Sequence, residues 1–214
     1  KKDEYYEDRY HDYDLFYNGE EFDNLKINGG PMISVMDLNL IKFNNNLPEG
    51  FSNLSETMVL KGGGGLIGSK EGSRIGGYKL SGAVRSVSYD GKKANLELSY
   101  GGFFYEKAVF YTDSIDISFG SLIGGGKARV DLIYNNYQDI DTPNSNSYSK
   151  SFMVFEPRIN MHYQIAAFVG FDLSFGYFIN FDFDDDWEYF DDSVHLPLDT
   201  LSSPVTSFKF SVGF

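Results

Sequence analysis

Gly63-Gly64-Gly65-Leu66-Ile67-Gly68 meets the G-x-G-x-x-G spacing of a dinucleotide fingerprint, in which glycines let backbone close on a pyrophosphate at a helix N-terminus. The stretch that follows, Ser69 to Gly77, has no amphipathic helical pattern, so these glycines read as relief of crowding or as bends in strands. Ser121 to Ala128 comes near a P-loop through Gly126-Lys127, but Ser121 replaces the first glycine and Ala128 the metal-binding hydroxyl. Asp182, Asp184 and Asp186 alternate like the start of a calcium loop, while Trp187 takes the place of its glycine and Ser193 that of its bidentate glutamate. An acidic solvated loop is the better-supported reading, with these three carboxylates the candidates for a loop-held Ca²⁺. His11, His162 and His195 form no i,i+4 metal pair. His162 with Glu156 is the candidate His–carboxylate pair, yet no nucleophile motif accompanies it, and a structural histidine is the stronger expectation. Neither enzymatic activity nor a cofactor is expected.

The elements that would carry these residues follow from composition. The 214 residues include 42% apolar and 17% aromatic side chains, 23 Gly and no Cys, which suits one folded domain without disulfides or thiol chemistry. A net charge of -13 argues against nucleic acid as a partner, because phosphate neutralisation needs clustered Lys and Arg. No apolar run reaches the roughly 18 residues of a spanning helix. Residues 1–28 are acidic and Tyr-rich without strand or helix periodicity and are expected to form an extension, with residues 29–214 as the folded domain.

From Met32 onward the pattern is alternation punctuated by Gly, Asn and Asp, which predicts an all-β fold. Phe208, Phe210, Val212 and Phe214 share a face opposite Ser207, Lys209 and Ser211. Val169, Phe171, Leu173, Phe175, Tyr177, Ile179 and Phe181 likewise oppose Gly170, Asp172 and Ser174. Further strands are predicted around Met153–Tyr163, Ile115–Tyr134, Leu96–Gly101 and Tyr78–Arg85, with weaker ones at Met32–Phe43 and Glu56–Gly68. About eight strands is the smallest number that closes as a membrane barrel.

Alternation fixes parity but not solvent. The greasy face from Val169 to Phe181 covers roughly 40 Å at ~3.3 Å per residue, enough to cross a ~25 Å apolar band when tilted. The expected assignment therefore turns Phe171, Phe175, Phe208, Phe210 and Phe214 to lipid. It places Lys79, Arg85, Glu97, Glu156, Arg158, Asp172 and Lys209 in a paired lumenal network. Eight strands put the loops near 44–53, 90–93, 136–148 and 182–204 at one end, and shorter turns with both termini at the other.

The ending Ser207-Phe208-Lys209-Phe210-Ser211-Val212-Gly213-Phe214 resembles the C-terminal strand of Gram-negative outer-membrane β-barrel proteins. That likeness implies recognition of the terminal aromatic by the outer-membrane insertion machinery. Gly29-Gly30-Pro31, Gly62 to Gly65, Leu96 to Gly102, Leu122 to Gly126 and Phe155-Glu156-Pro157 look like the spaced pieces of a family of small, glycine-rich, uncharacterised outer-membrane proteins. The likeness covers about Gly29 to Phe214 and implies a barrel without chemistry.

The expectation is a closed antiparallel up-and-down β-barrel of about eight strands with an acidic Tyr-rich N-terminal extension. It would sit in the outer membrane as a structural or surface-interaction protein, with the lipid bilayer as partner and self-association through residues 1–28. The alternatives are a secreted surface or filament subunit linked through that extension, and a soluble exported barrel that binds an apolar ligand.

Overall fold

The computed structural model describes residues 24–134, 144–182, 187–189, 192–194, 196, 198 and 200–213. Ten strands carry the described chain: β1 (Leu25–Asp37), β2 (Thr57–Ser69), β3 (Ser73–Val87), β4 (Lys93–Tyr111), β5 (Ile115–Tyr134), β6 (Asn144–Ala166), β7 (Val169–Asp182), β8 (Trp187–Tyr189), β9 (Asp192–Val194) and β10 (Ser203–Gly213). Eight of them close an antiparallel ring in the order β1-β2-β3-β4-β5-β6-β7-β10, sealed where β10 pairs back on β1. Closure leaves no unpaired edge in the wall. The β8–β9 hairpin lies outside the ring and joins it at Ser149↔Glu188 on β6.

β1 starts at Leu25, inside the segment assigned to the extension, and stops at Asp37 instead of running to Phe43. A short helix, α1 (Ile41–Asn45), follows it, with Phe43 buried. Asn44 ties this helix to the descending chain, accepting from the Leu54 amide at 2.9 Å and donating to the Leu54 carbonyl at 3.0 Å. Leu38, Leu40, Phe43 and Leu54 thereby fold over one mouth of the barrel and join its core. The turns β2–β3, β4–β5 and β6–β7 are short and lie at the other end with both ends of the ring, as parity requires. At the loop end β3 and β4 meet in a tight hairpin, where Gly91 takes φ +80° and its amide donates to the Ser88 carbonyl at 3.0 Å.

Wall glycines line up across strands, Gly29↔Gly65↔Gly77 and Gly101↔Gly125 among them. Gly126 faces inward, and a Cβ there would stand 2.3 Å from Cε2 of Phe152. At the outward Gly125 the nearest atom would be 3.6 Å away. Gly126→Val is therefore expected to cost about 1–3 kcal/mol by overpacking, whereas Gly125→Val stays near wild type. Urea unfolding of both variants in detergent checks this, and equal midpoints would refute it.

Candidate functional site in a two-tier interior

Along β3, β4, β5 and β6 the inward and outward faces exchange polarity part-way up, whereas the outer face stays apolar through Ile33 and Val35 on β1 and through Tyr177 and Phe181 on β7. In β5 the turn-side half points Asp116 and Ser118 inward and Ile115, Phe119 and Ile123 outward. Beyond Gly124-Gly125-Gly126 the same parity points Ala128, Val130 and Leu132 inward and Lys127, Arg129 and Asp131 outward. β4 does the same across Gly101-Gly102, with Glu106 and Phe104 then Tyr100, Leu98 and Leu96 inside, and Tyr105 and Phe103 then Ser99, Glu97 and Asn95 outside. The interior is thus ionic toward the turns and apolar toward the loops.

The ionic tier is built from three adjoining groups of contacts. Lys26 of β1 donates to Oδ2 of Asp116 at 2.5 Å, and the same oxygen lies 2.6 Å from Arg74. Arg74 also donates to Glu106 Oε1 at 2.9 Å and to the Ser69 carbonyl at 2.9 Å, while Asn160 donates to Glu106 Oε2 at 2.8 Å. Arg158 pairs with Glu156 and lies 4.6 Å from the centroid of the Tyr78 ring, a cation–π contact that fixes the guanidinium in the bore. Lys209 stands 3.5 Å from Asp172, which His162 Nδ1 approaches to 3.2 Å. Four cations (Lys26, Arg74, Arg158, Lys209) meet four carboxylates (Glu106, Asp116, Glu156, Asp172), all buried. Pairing on this scale is what keeps charge tolerable away from water. β1 and β5 lie across the ring from each other, so the Lys26–Asp116 contact spans the bore.

Above it, Tyr100 and Phe178 stack with centroids 4.7 Å apart, and Phe152 meets Phe178 edge-on at 5.9 Å. Leu60, Leu80, Leu96, Leu98, Val130 and Trp187 fill the rest of this dry tier. Lumenal cavities of about 30 Å³ beside Arg158 and Lys209 and about 20 Å³ beside Lys26 and His162 are water-sized. Neither admits an apolar ligand.

Glu156, Arg158, Asp172 and Lys209 lie in the lumen, and Phe171, Phe175, Phe208 and Phe210 point outward. Lys79, Arg85 and Glu97 correct the lumenal expectation, because they stand on the outer wall. Arg85 lies 3.8 Å from Glu97 there, and Tyr78, Leu80, Leu96 and Leu98 take the interior instead. The assumption that every greasy face is the outer one fails on the loop side of β3 and β4, where the apolar face is the inner one. Lys26, Arg74, Glu106 and Asp116 belong to the network and escaped the sequence reading. Their signal was the parity switch itself, since Glu106 shares the face of Leu98 and Tyr100, and Asp116 that of Val130 and Leu132.

His162 and Glu156 sit six residues apart on one strand, roughly 20 Å at ~3.3 Å per residue, and each has another partner. The Gly63–Gly68 and Ser121–Ala128 segments are strand interiors, without a helix N-terminus to hold phosphate. Asp182 pairs with Lys150 at 2.9 Å. Asp184, Asp186, Phe214 and most of the extension lie outside the described residues, and among the described residues no cluster of three His, Asp or Glu could hold a metal ion. No described helix is long and apolar enough to cross a membrane, which says nothing of a barrel.

No protein-family model and no curated protein matches the chain. Solved structures do. The chain is similar to Ail, the attachment invasion locus protein of Yersinia pestis, solved in complex with the heparin analogue sucrose octasulfate. That match has 10% identity and a TM-score of 0.53, over 89% of this chain and 98% of that one. It is also similar to the outer membrane protein OprG from Pseudomonas aeruginosa, with 10% identity and a TM-score of 0.52, over 89% of this chain and 95% of that one. The fold is that of the small Gram-negative outer-membrane β-barrels.

Proposed function

We propose that this chain is a sealed outer-membrane barrel with a structural or surface-interaction role, neither a wide pore nor an enzyme. The observation that carries this reading is the exchange of polarity along the strands. Toward the turns an apolar outer wall encloses ions, the arrangement that hydrocarbon demands. Toward the loops the outer wall of β3–β6 is polar and encloses Leu, Val and Phe, the arrangement that water demands. The loop-side wall of β3–β6 therefore stands clear of the bilayer as a hydrated collar that presents surface to the outside, and the two internal plugs close the bore. The bilayer is the partner of the lower wall. The insertion machinery would engage β10, and the residues ahead of β1 would supply any self-association.

The absence of Cys permits a clean test with single cysteines in vesicles. Ser99→Cys and Ser151→Cys are expected to react with a membrane-impermeant maleimide, and Phe103→Cys and Phe175→Cys to be protected until detergent is added. Equal reactivity at all four sites would overturn the reading. Reconstituted wild type is expected to show no steady ion conductance, because Lys26–Asp116 and Tyr100–Phe178 obstruct the axis at two levels.

A further inference from the structure

The outer wall of β2–β6 changes character within two rows of the ladder. Gly65, Gly77, Phe103, Ile123 and Phe155 lie in one register row, and Gly63, Lys79, Gly101, Gly125 and Met153 in the next toward the loops. The third row reads Lys61, Ser81, Ser99, Lys127 and Ser151. Lys61, Lys79 and Lys127 are exposed at the upper margin of the apolar belt, and none of them has an ion-pair partner among the described residues. The nearest outward acids are already engaged, Glu97 facing Arg85 at 3.8 Å and Asp131 accepting from Arg129 at 2.8 Å. Lys61 and Lys79 are diagonal neighbours on adjacent strands, roughly 7–8 Å apart.

The wall between Lys79 and Lys127 is recessed, and Lys61 flanks it on β2. With hydrogen in place of side chains at Gly101 and Gly125, an open hollow of about 340 Å³ is bounded by Lys79, Ser99 and Lys127. A second of about 520 Å³ continues upward past Ser81, Ser99 and Arg129, with Glu97 also on its wall. The chain as a whole carries a charge of -13, so three uncompensated lysines on β2, β3 and β5 are a local reversal of sign. Lysine stems lie along apolar wall while their ammonium groups reach the headgroup level.

Building on the membrane placement proposed above, we propose that Lys61, Lys79 and Lys127 form a binding site for the phosphate of a lipid headgroup in the leaflet that the collar leaves. The ammonium groups supply the charge and the Ser81 and Ser99 hydroxyls supply donors at the floor. The acyl chains lie against Phe103, Ile123 and Phe155 below. This juxtaposition is what a free anion would not use, since its apolar half has no role in binding phosphate alone.

The test uses the full chain, folded in neutral detergent, and titrates it with a diphosphorylated glycolipid, the same lipid dephosphorylated, and inorganic phosphate. The midpoint for the phosphorylated lipid is expected to rise about tenfold or more in K61Q/K79Q/K127Q, given roughly tenfold in affinity for each ~1.4 kcal/mol and about 1 kcal/mol per lysine. K93Q, on the outer wall nearer the loop tip, should leave it unchanged. Should the triple variant lose heat-modifiable gel mobility, Ser99→Glu, which sets a carboxylate between Lys79 and Lys127, is expected to give the same loss. Equal midpoints in wild type and variant overturn the site. So does inorganic phosphate binding as tightly as the lipid, which would mean a free-anion site. Wild type that never enters vesicles sinks the membrane reading first, whereas entry without a lysine effect sinks this inference alone.

Discussion

Arg158→Met is expected to lower the stability of the folded barrel by about 3–5 kcal/mol, the cost of leaving Glu156 buried and unpaired. Glu156 is wholly buried, its partner is the neighbouring Arg158 on the same face of β6, and the guanidinium is also held against Tyr78 and Phe104. The double variant Arg158→Met with Glu156→Leu removes both charges at similar volume and should recover most of the loss. Urea titration in detergent, followed by gel mobility with and without heating, reads both. A double variant as unstable as the single one would show that the pair is held for packing and not for charge neutrality.

Phe178→Ala is expected to cost about 3–5 kcal/mol, the usual penalty for deleting a buried aromatic. Its ring is fully buried and is packed by Tyr100 from β4 and Phe152 from β6, so no neighbour can close the gap without leaving its own rotamer. Phe175→Ala, three residues earlier with its side chain directed outward, should cost about 1 kcal/mol or less. Conductance should stay at the wild-type baseline in Phe178→Ala, because the Lys26–Asp116 bridge obstructs the axis independently. Current through that variant would show that the ionic tier is porous.

Strand content, ring closure and the placement of long loops were all legible in period-two alternation and the rhythm of Gly, Asn and Asp. For β6, β7 and β10 the parity also identifies the inner face, because Glu156, Arg158, Asp172 and Lys209 share it with Ser and Asn. For β3 and β4 it does not. A strand carries two periodic faces, and which is inner depends on the medium at that height; Lys79 and Glu97 lie on the exposed outer face, around an apolar interior. The signal is in the chain, since the apolar parity switches from odd to even between Phe119 and Val130, at the glycine triplet. Lys26 meeting Asp116 is different in kind: 90 residues separate them, and only ring closure brings them together. The sequence carries β1 too far along because Leu38, Leu40, Ile41 and Phe43 continue the apolar pattern past Asp37, where the chain turns over the mouth instead.

The glycine-marked level has a mechanical consequence. In the membrane placement proposed above, the wall below it owes its cohesion to the surrounding acyl chains; above it, the ring is held by its own oily filling and would persist if those chains were stripped away. Removing surfactant should therefore loosen the lower staves first, while the upper hoop keeps all eight in register and allows them to re-form when amphiphile returns.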